Sequence, residues 1–188
     1  MRPSKREALL TAAERLFYEE GFHATGIDRV VTEAGVARMT LYNHFPSKEA
    51  LIEAVLARRY RRYLEDLRAV VETADRGGAV MTLAARHCEW LEKVSNRGCI
   101  VIKAIGEFER HHPPIAALGR RLKHELLALV AQALERDGQG QGAALAERLL
   151  VVLEGADALV PVLGAGPVST HTRALVSAVL HETRETTS

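Results

Sequence analysis

At 188 residues, with 47% apolar and 26% charged positions and a formal net charge of only +1, the chain has the make-up of a globular protein with room for a real core. It is neither disordered nor uniformly basic. Cys88 and Cys99 are too few for a disulfide framework or a four-ligand zinc pattern; no apolar run reaches the roughly 18 residues a membrane span needs; and no segment reads as a secretory signal, so a cytoplasmic protein is expected.

Every element reads helical, and nothing alternates with the period of a strand. The first helix opens at Ser4, after Pro3, with a capping box to Glu7. Leu9, Ala13, Leu16 and Phe17 make its buried stripe and Gly21 ends it. After the bridge FHAT comes TGIDRVVTEAGVARMTLYNHFPSK, residues 25–48: a helix, a glycine turn, a short helix and the start of a long one. Thr25 and Asp28 predict a second capping box. Ile27, Val30, Val31 and Ala34 follow at i, i+3, i+4, i+7 as one apolar face, and Gly35 stands where a positive φ lets the chain leave that helix. The short helix, about 37–44, cannot persist alone in water. Leu41 and Phe45 point one way, Met39 and Asn43 the other, with Thr40 and Tyr42 on the flanks. A short helix pinned by two apolar residues and presenting a mixed polar edge is how a helix-turn-helix offers side chains to a major groove.

Ser47 suits the N-cap of the next helix, whose apolar residues keep a helical period until Gly77-Gly78. Its first turns should pack on the motif and the rest should enter a second domain, giving a domain at 1–48, linked by the helix 48–75, and another at 49–188. Five further helices are predicted at about 79–94, 99–110, 115–136, 143–163 and 168–183. Asn96-Arg97-Gly98, His111-His112-Pro113-Pro114, the DGQGQG loop 137–142 and Gly164-Ala165-Gly166-Pro167 separate them. The fold class is thus all-α with about nine helices. The penultimate helix is apolar over more than one face, which one neighbour cannot cover. Charge is uneven: residues 1–63 hold 11 Lys/Arg against 8 Asp/Glu, net +3, and residues 64–188 hold 14 against 16, net −2. A modestly basic head on a slightly acidic body fits DNA binding by the head.

No catalytic constellation emerges. His87 and Cys88 are helix neighbours and point about 100° apart. His111-His112 has no carboxylate or cysteine at a metal-ligand spacing, and DGQGQG lacks the Lys-Ser/Thr of a phosphate loop. Cys99, near Arg97, reads as a buried inert thiol before a redox one. Lys103 and Glu107 read as a solvated i,i+4 pair. No enzyme, cofactor or metal is expected.

The spacing of Phe17, Gly21, Thr25, Ile27, Ala34, Gly35, Val36, Thr40, Leu41, Tyr42, Phe45, Lys48, Leu51 and Val55 resembles the TetR family of bacterial transcriptional regulators, over about a quarter of the chain. NRGCIVIKAIGEFERHHPP also looks like an Arg-Gly-Cys segment of one branch of that family. The resemblance implies an N-terminal three-helix DNA-binding domain and a C-terminal helical ligand-binding and dimerisation domain. It implies a homodimer on a near-palindromic operator, most often a repressor, released when a small molecule enters the body. Arg38 and Met39 match positions against base edges, Thr40 a backbone or thymine-methyl position, and Tyr42 and Asn43 positions on phosphate or bases. His44, Lys48 and Thr25 match phosphate-side positions. The chemistry agrees: Arg offers a fork to guanine, and Tyr, Thr and Lys suit phosphate oxygens. Ala37 stands where many relatives have a capping Ser, and Met39 where a small residue is frequent. An effector pocket is expected among Met81, His87, Trp90, Ile105, Phe108 and Leu126, and a dimer interface at Leu149, Leu153, Ala156, Val160, Leu175, Val176 and Val179. A regulator without an effector, or a helical carrier or enzyme on the same body, are the alternative readings.

Overall fold

The computed structural model describes residues 4–139 and 142–185. Among them it builds nine α-helices and no strand: α1 (Lys5–Glu20), α2 (Ile27–Ala34), α3 (Arg38–His44), α4 (Lys48–Thr73), α5 (Ala79–Lys93), α6 (Ile100–Phe108), α7 (Pro113–Arg136), α8 (Ala143–Leu163) and α9 (Ala165–Glu185). Pro3 and the centre of the 137–142 loop lie outside the described residues. Among the described residues no helix is long and apolar enough to cross a membrane.

The local signals act where expected, with two exceptions. Ser4 Oγ accepts from the Glu7 N–H at 3.2 Å, and Ser47 Oγ from the Ala50 N–H at 3.1 Å. Gly35 takes φ 63°, left-handed, and ends α2. The first exception is the Thr25 cap. Gly26 holds the N-cap position of α2, and no side chain bonds there. Thr25 is fully buried, and its hydroxyl donates to the Gly21 carbonyl at 2.8 Å, tying the bridge back to the end of α1. The second is helix length. α7 and α9 begin at Pro113 and Ala165, earlier than the apolar period implies, because proline is at home in a first turn whose N–H groups lack intrahelical acceptors.

The chain divides into two compact units, one made of the residues up to Arg61 with Ile100–Leu122, the other of Arg62–Cys99 with the residues from Lys123 on. The division falls inside α4 and α7.

In the first unit α1, α2 and α3 pack pairwise around Leu9, Leu16, Phe17, Phe22, Val30, Leu41 and Phe45. Arg58 and Arg59 of α4 clamp α1. Arg58 reaches Glu7 at 2.9 Å and Glu14 at 2.8 Å; Arg59 reaches Glu14 at 3.1 Å and lies 4.4 Å over the Tyr18 ring. Phe22 stacks between Phe17 and Phe108 at 5.5 and 5.4 Å. Gly119 lets α7 approach α6: a Cβ there would stand 2.6 Å from Ile105 Cγ1.

In the second unit α8 and α9 pack on each other and on α5, with Leu91, Ala156, Val160 and Val168 at the centre. Asp137 closes the start of α5, its two oxygens accepting from the Ala79 and Val80 N–H groups at 2.8 and 3.0 Å. A carboxylate at a helix N-terminus satisfies orphan donors and complements the helix dipole.

Candidate nucleic-acid interface

Leu41 and Phe45 are buried and anchor α3. Its opposite side is open: Met39 is 69% exposed and Tyr42 37%, and Arg38, Asn43 and His44 are exposed beside them. Ala37 holds the N-cap position without a side-chain hydrogen bond, so this short helix rests on its two apolar anchors. Thr40 is half-buried. Arg38 is held in place before any partner arrives: its Nη1 lies 3.0 Å from Asp28 Oδ1 and its guanidinium carbon 5.8 Å from the Tyr42 ring centre. Asp28, read from the sequence as a capping residue, instead orients this arginine. Lys48 is half-buried at the start of α4, where burial lowers its pKa against the opposing charges of Glu49 and Glu107. Thr25 alone of the expected DNA-facing set turns its side chain inward, its hydroxyl serving the head.

The six expected pocket residues are divided between the two units, and within the second His87 and Trp90 both pack on the Tyr63 ring, at 6.0 and 5.2 Å. Ile105 and Phe108 belong to the first unit, Met81, His87, Trp90 and Leu126 to the second. Ile105 lies along Gly119, Phe108 on Phe22 and His23, and Leu126 is core. A cleft of about 460 Å³ in the second unit is lined by Arg62, Asp66, Arg86, Glu89, Trp90, Lys93 and Val94, of which Trp90 belongs to the expected set. Arg86 there is paired with Asp66 and Glu89.

His87 is part of a polar cluster inside the same unit that periodicity does not reveal. Leu153 O can only accept, so the His87 Nε2–H donates to it at 3.1 Å, and Nδ1 accepts from the Tyr63 hydroxyl at 2.8 Å. The ring is neutral; burial lowers its pKa to about 4, with the charge of Glu154 opposing. Lys123 Nζ stands 2.6 Å from Glu154 Oε1. Burial works against the ammonium, but Cys99, Glu154 and Asp157 outweigh it and hold the Lys123 pKa above the lysine range. Burial pushes the Glu154 carboxyl up while Lys123 opposes; the short ion pair favours the charged form of both. The available signal was Glu154 and Asp157 at i, i+3 within an otherwise apolar helix.

The expected interface residues Leu149, Leu153, Ala156, Val160 and Val176 are covered by this chain's own helices. Leu175 of the expected set is exposed on α9, and so are Val151, Leu159, Val162 and Leu163 on α8. Gly155 has open space beside it, and Val179 is half-buried.

An all-helical chain with a helix-turn-helix edge on one unit and an apolar stripe on the other belongs to the class of helical DNA-binding regulators. The sequence pattern of the bacterial regulatory proteins, tetR family, matches residues 9–55. Over the whole fold, the TetR-family transcriptional regulator SCO4454 from Streptomyces coelicolor superposes with a TM-score of 0.89 at 30% identity, covering 95% of each chain. The regulator UidR of Escherichia coli is 28% identical over 73% of this chain and 67% of its own. The transcriptional activator FasR of Mycolicibacterium smegmatis is 39% identical over 38% of this chain, a match that spans only 33% of FasR. This chain belongs to the TetR family. Its relatives are transcription regulators and not enzymes, so the enzyme alternative falls away.

Proposed function

We propose that this chain is a cytoplasmic, homodimeric transcription regulator whose head, residues 1–48, reads one half of a near-palindromic operator and whose body, residues 49–188, carries dimerisation and effector response. Repression released by a small molecule is the mode we favour. The observation that carries the reading is α3, with Leu41 and Phe45 buried and Arg38, Met39, Tyr42, Asn43 and His44 exposed along one edge. A seven-residue edge offers few base contacts, so specificity needs two heads at fixed spacing. The stripe of Val151, Leu159, Val162, Leu163 and Leu175 supports the doubling: exposed apolar contiguity of this kind marks an interface, and two helices meeting their twofold copies make a four-helix interface. The lining of the 460 Å³ cleft, largely charged side chains with Arg86 paired to Asp66 and Glu89, favours a second reading, in which the body serves dimerisation alone.

Anisotropy titration with duplexes from the chain's own promoter region tests the proposal. Binding should exceed that to random duplex, weaken steeply with salt as counterions are released, and fall at least about tenfold in Arg38→Ala and Tyr42→Ala, in keeping with roughly 1–3 kcal/mol per base contact. Equal affinity for random DNA, or specific binding intact in both variants, overturns it. A promoter-reporter assay with and without the chain separates repression from activation.

A further inference from the structure

We propose that Cys99, Glu154 and Asp157 form a binding site for a thiophilic divalent cation of the zinc type. The site lies wholly within the second unit and does not depend on DNA binding. One thiol sulfur and two carboxylate oxygens lie within 4.8 Å of one another. Thiolate and carboxylate are donors that zinc accepts, at bond lengths of about 2.0–2.3 Å, which set tetrahedral ligand atoms roughly 3.5 Å apart. Glu154 and Asp157 stand at i, i+3 on one face of α8, and Cys99 immediately precedes α6.

The electrostatics of the cluster favour added positive charge. Two carboxylates face the single ammonium of Lys123, and Glu154 Oε2 is sealed from solvent and accepts no hydrogen bond, which leaves a buried lone pair without a donor. A divalent ion brings two charges where Lys123 brings one. Lys123, on a flexible stem 2.6 Å from the other Glu154 oxygen, is therefore a built-in competitor for the ion. His87 is not a ligand, because its Nε2–H is already donated to Leu153 O; it sits 4.0 Å from Asp157 Oδ2, beside the ligand set. Water takes the fourth position, as in open zinc sites. Cys99 is half-buried, whereas Cys88 is sealed in the core. On binding, the Cys99 thiol loses its proton to solvent as the sulfur–metal bond forms.

Cobalt(II), added to the reduced full-length chain, should give thiolate-to-cobalt charge transfer and tetrahedral d–d bands saturating at one ion per chain. Zinc should bleach these bands and protect Cys99, but not Cys88, from a thiol reagent. Cys99→Ser should abolish the charge transfer, Asp157→Asn should weaken cobalt binding at least tenfold, and Lys123→Met, without the competing ammonium, should tighten it. An octahedral spectrum without charge transfer, a thiolate band surviving Cys99→Ser, or zinc affinity unchanged in both ligand variants overturns the proposal. If Lys123→Met does not fold, the wild-type and Cys99→Ser spectra decide. Because the measurement uses no DNA, its failure is separate from failure of operator binding.

Discussion

Helices α3 and α8 are built in opposite senses. The seven residues of α3 bury their apolar anchors and display Arg38, Met39, Tyr42, Asn43 and His44. The 21 residues of α8 do the reverse along part of their length. They turn Glu154 and Asp157 toward Lys123 and His87 while Val151 and Val162 stand 71% and 73% exposed. A polar edge on a pinned short helix suits a polar partner, which under the proposed function is DNA. An apolar edge on a long helix with a buried ion pair behind it suits an apolar partner, which under the proposed function is a second copy. In each case function resides in the face that the fold leaves uncovered.

The comparison breaks most sharply if the outer face of α8 is made polar. Leu159→Glu with Val162→Glu should give a folded monomer by light scattering. Its operator affinity should drop on the order of 100-fold or more, as the second head ceases to be tethered. A dimer that persists would move the interface elsewhere.

The inner face of α8 is tested next. Glu154→Ala removes the carboxylate 2.6 Å from the buried Lys123 ammonium and should cost about 3–5 kcal/mol in urea unfolding. A loss under about 1 kcal/mol would mean that the pair is solvated in practice.

His87 gives that inner face a pH signature. Its folded pKa, about 4, lies below the unfolded value of about 6.5, so between these the unfolded state binds more protons and stability rises with pH. The contribution is complete above pH ~6.5 and is lost as pH falls toward 4, amounting to about 3 kcal/mol. Urea midpoints across this window should fall less steeply in His87→Gln than in the parent chain. Parallel profiles would assign the acid sensitivity to carboxylates.

The exposed side of α3 has finer handles. Asp28→Asn removes the charge that holds Arg38, and should change operator affinity severalfold while leaving unfolding within about 0.5 kcal/mol. Ala37→Ser should supply the missing cap of α3, worth about 1 kcal/mol, or roughly 2–4 °C in Tm for a chain of this size. An unchanged Tm would mean that α3 is already fully fixed by Leu41 and Phe45.

Legibility in the sequence followed the same contrast. In α2 and α3 the spacing of Val30, Val31, Leu41 and Phe45 with the turn at Gly35 admits one packing, so the reading edge follows from local spacing alone. Thr25 was the exception. A threonine before a helix can cap it or bond backward, and here the fully buried Thr25 bonds back to the Gly21 carbonyl at the end of α1. The packing of the pocket candidates was hidden for a different reason: Ile105 and Phe108 sit on a helix whose neighbours Gly119 and Phe22 are remote in sequence. The polar cluster failed for a third: its members come from α4, α5, α7, α8 and the residue before α6, and no local period joins them.

The sequence by itself determined the helices, the caps at Ser4 and Ser47, the family, and the side of α3 that faces outward, because each rests on contacts within a few residues or on one amphipathic period. Only the tertiary structure decided which side of α8 is inside. A helix apolar all round has no preferred face of its own, so α5 and α9 settled the matter by covering Leu149, Leu153, Ala156 and Val160. They left Val151, Leu159, Val162 and Leu163 to be covered by something else.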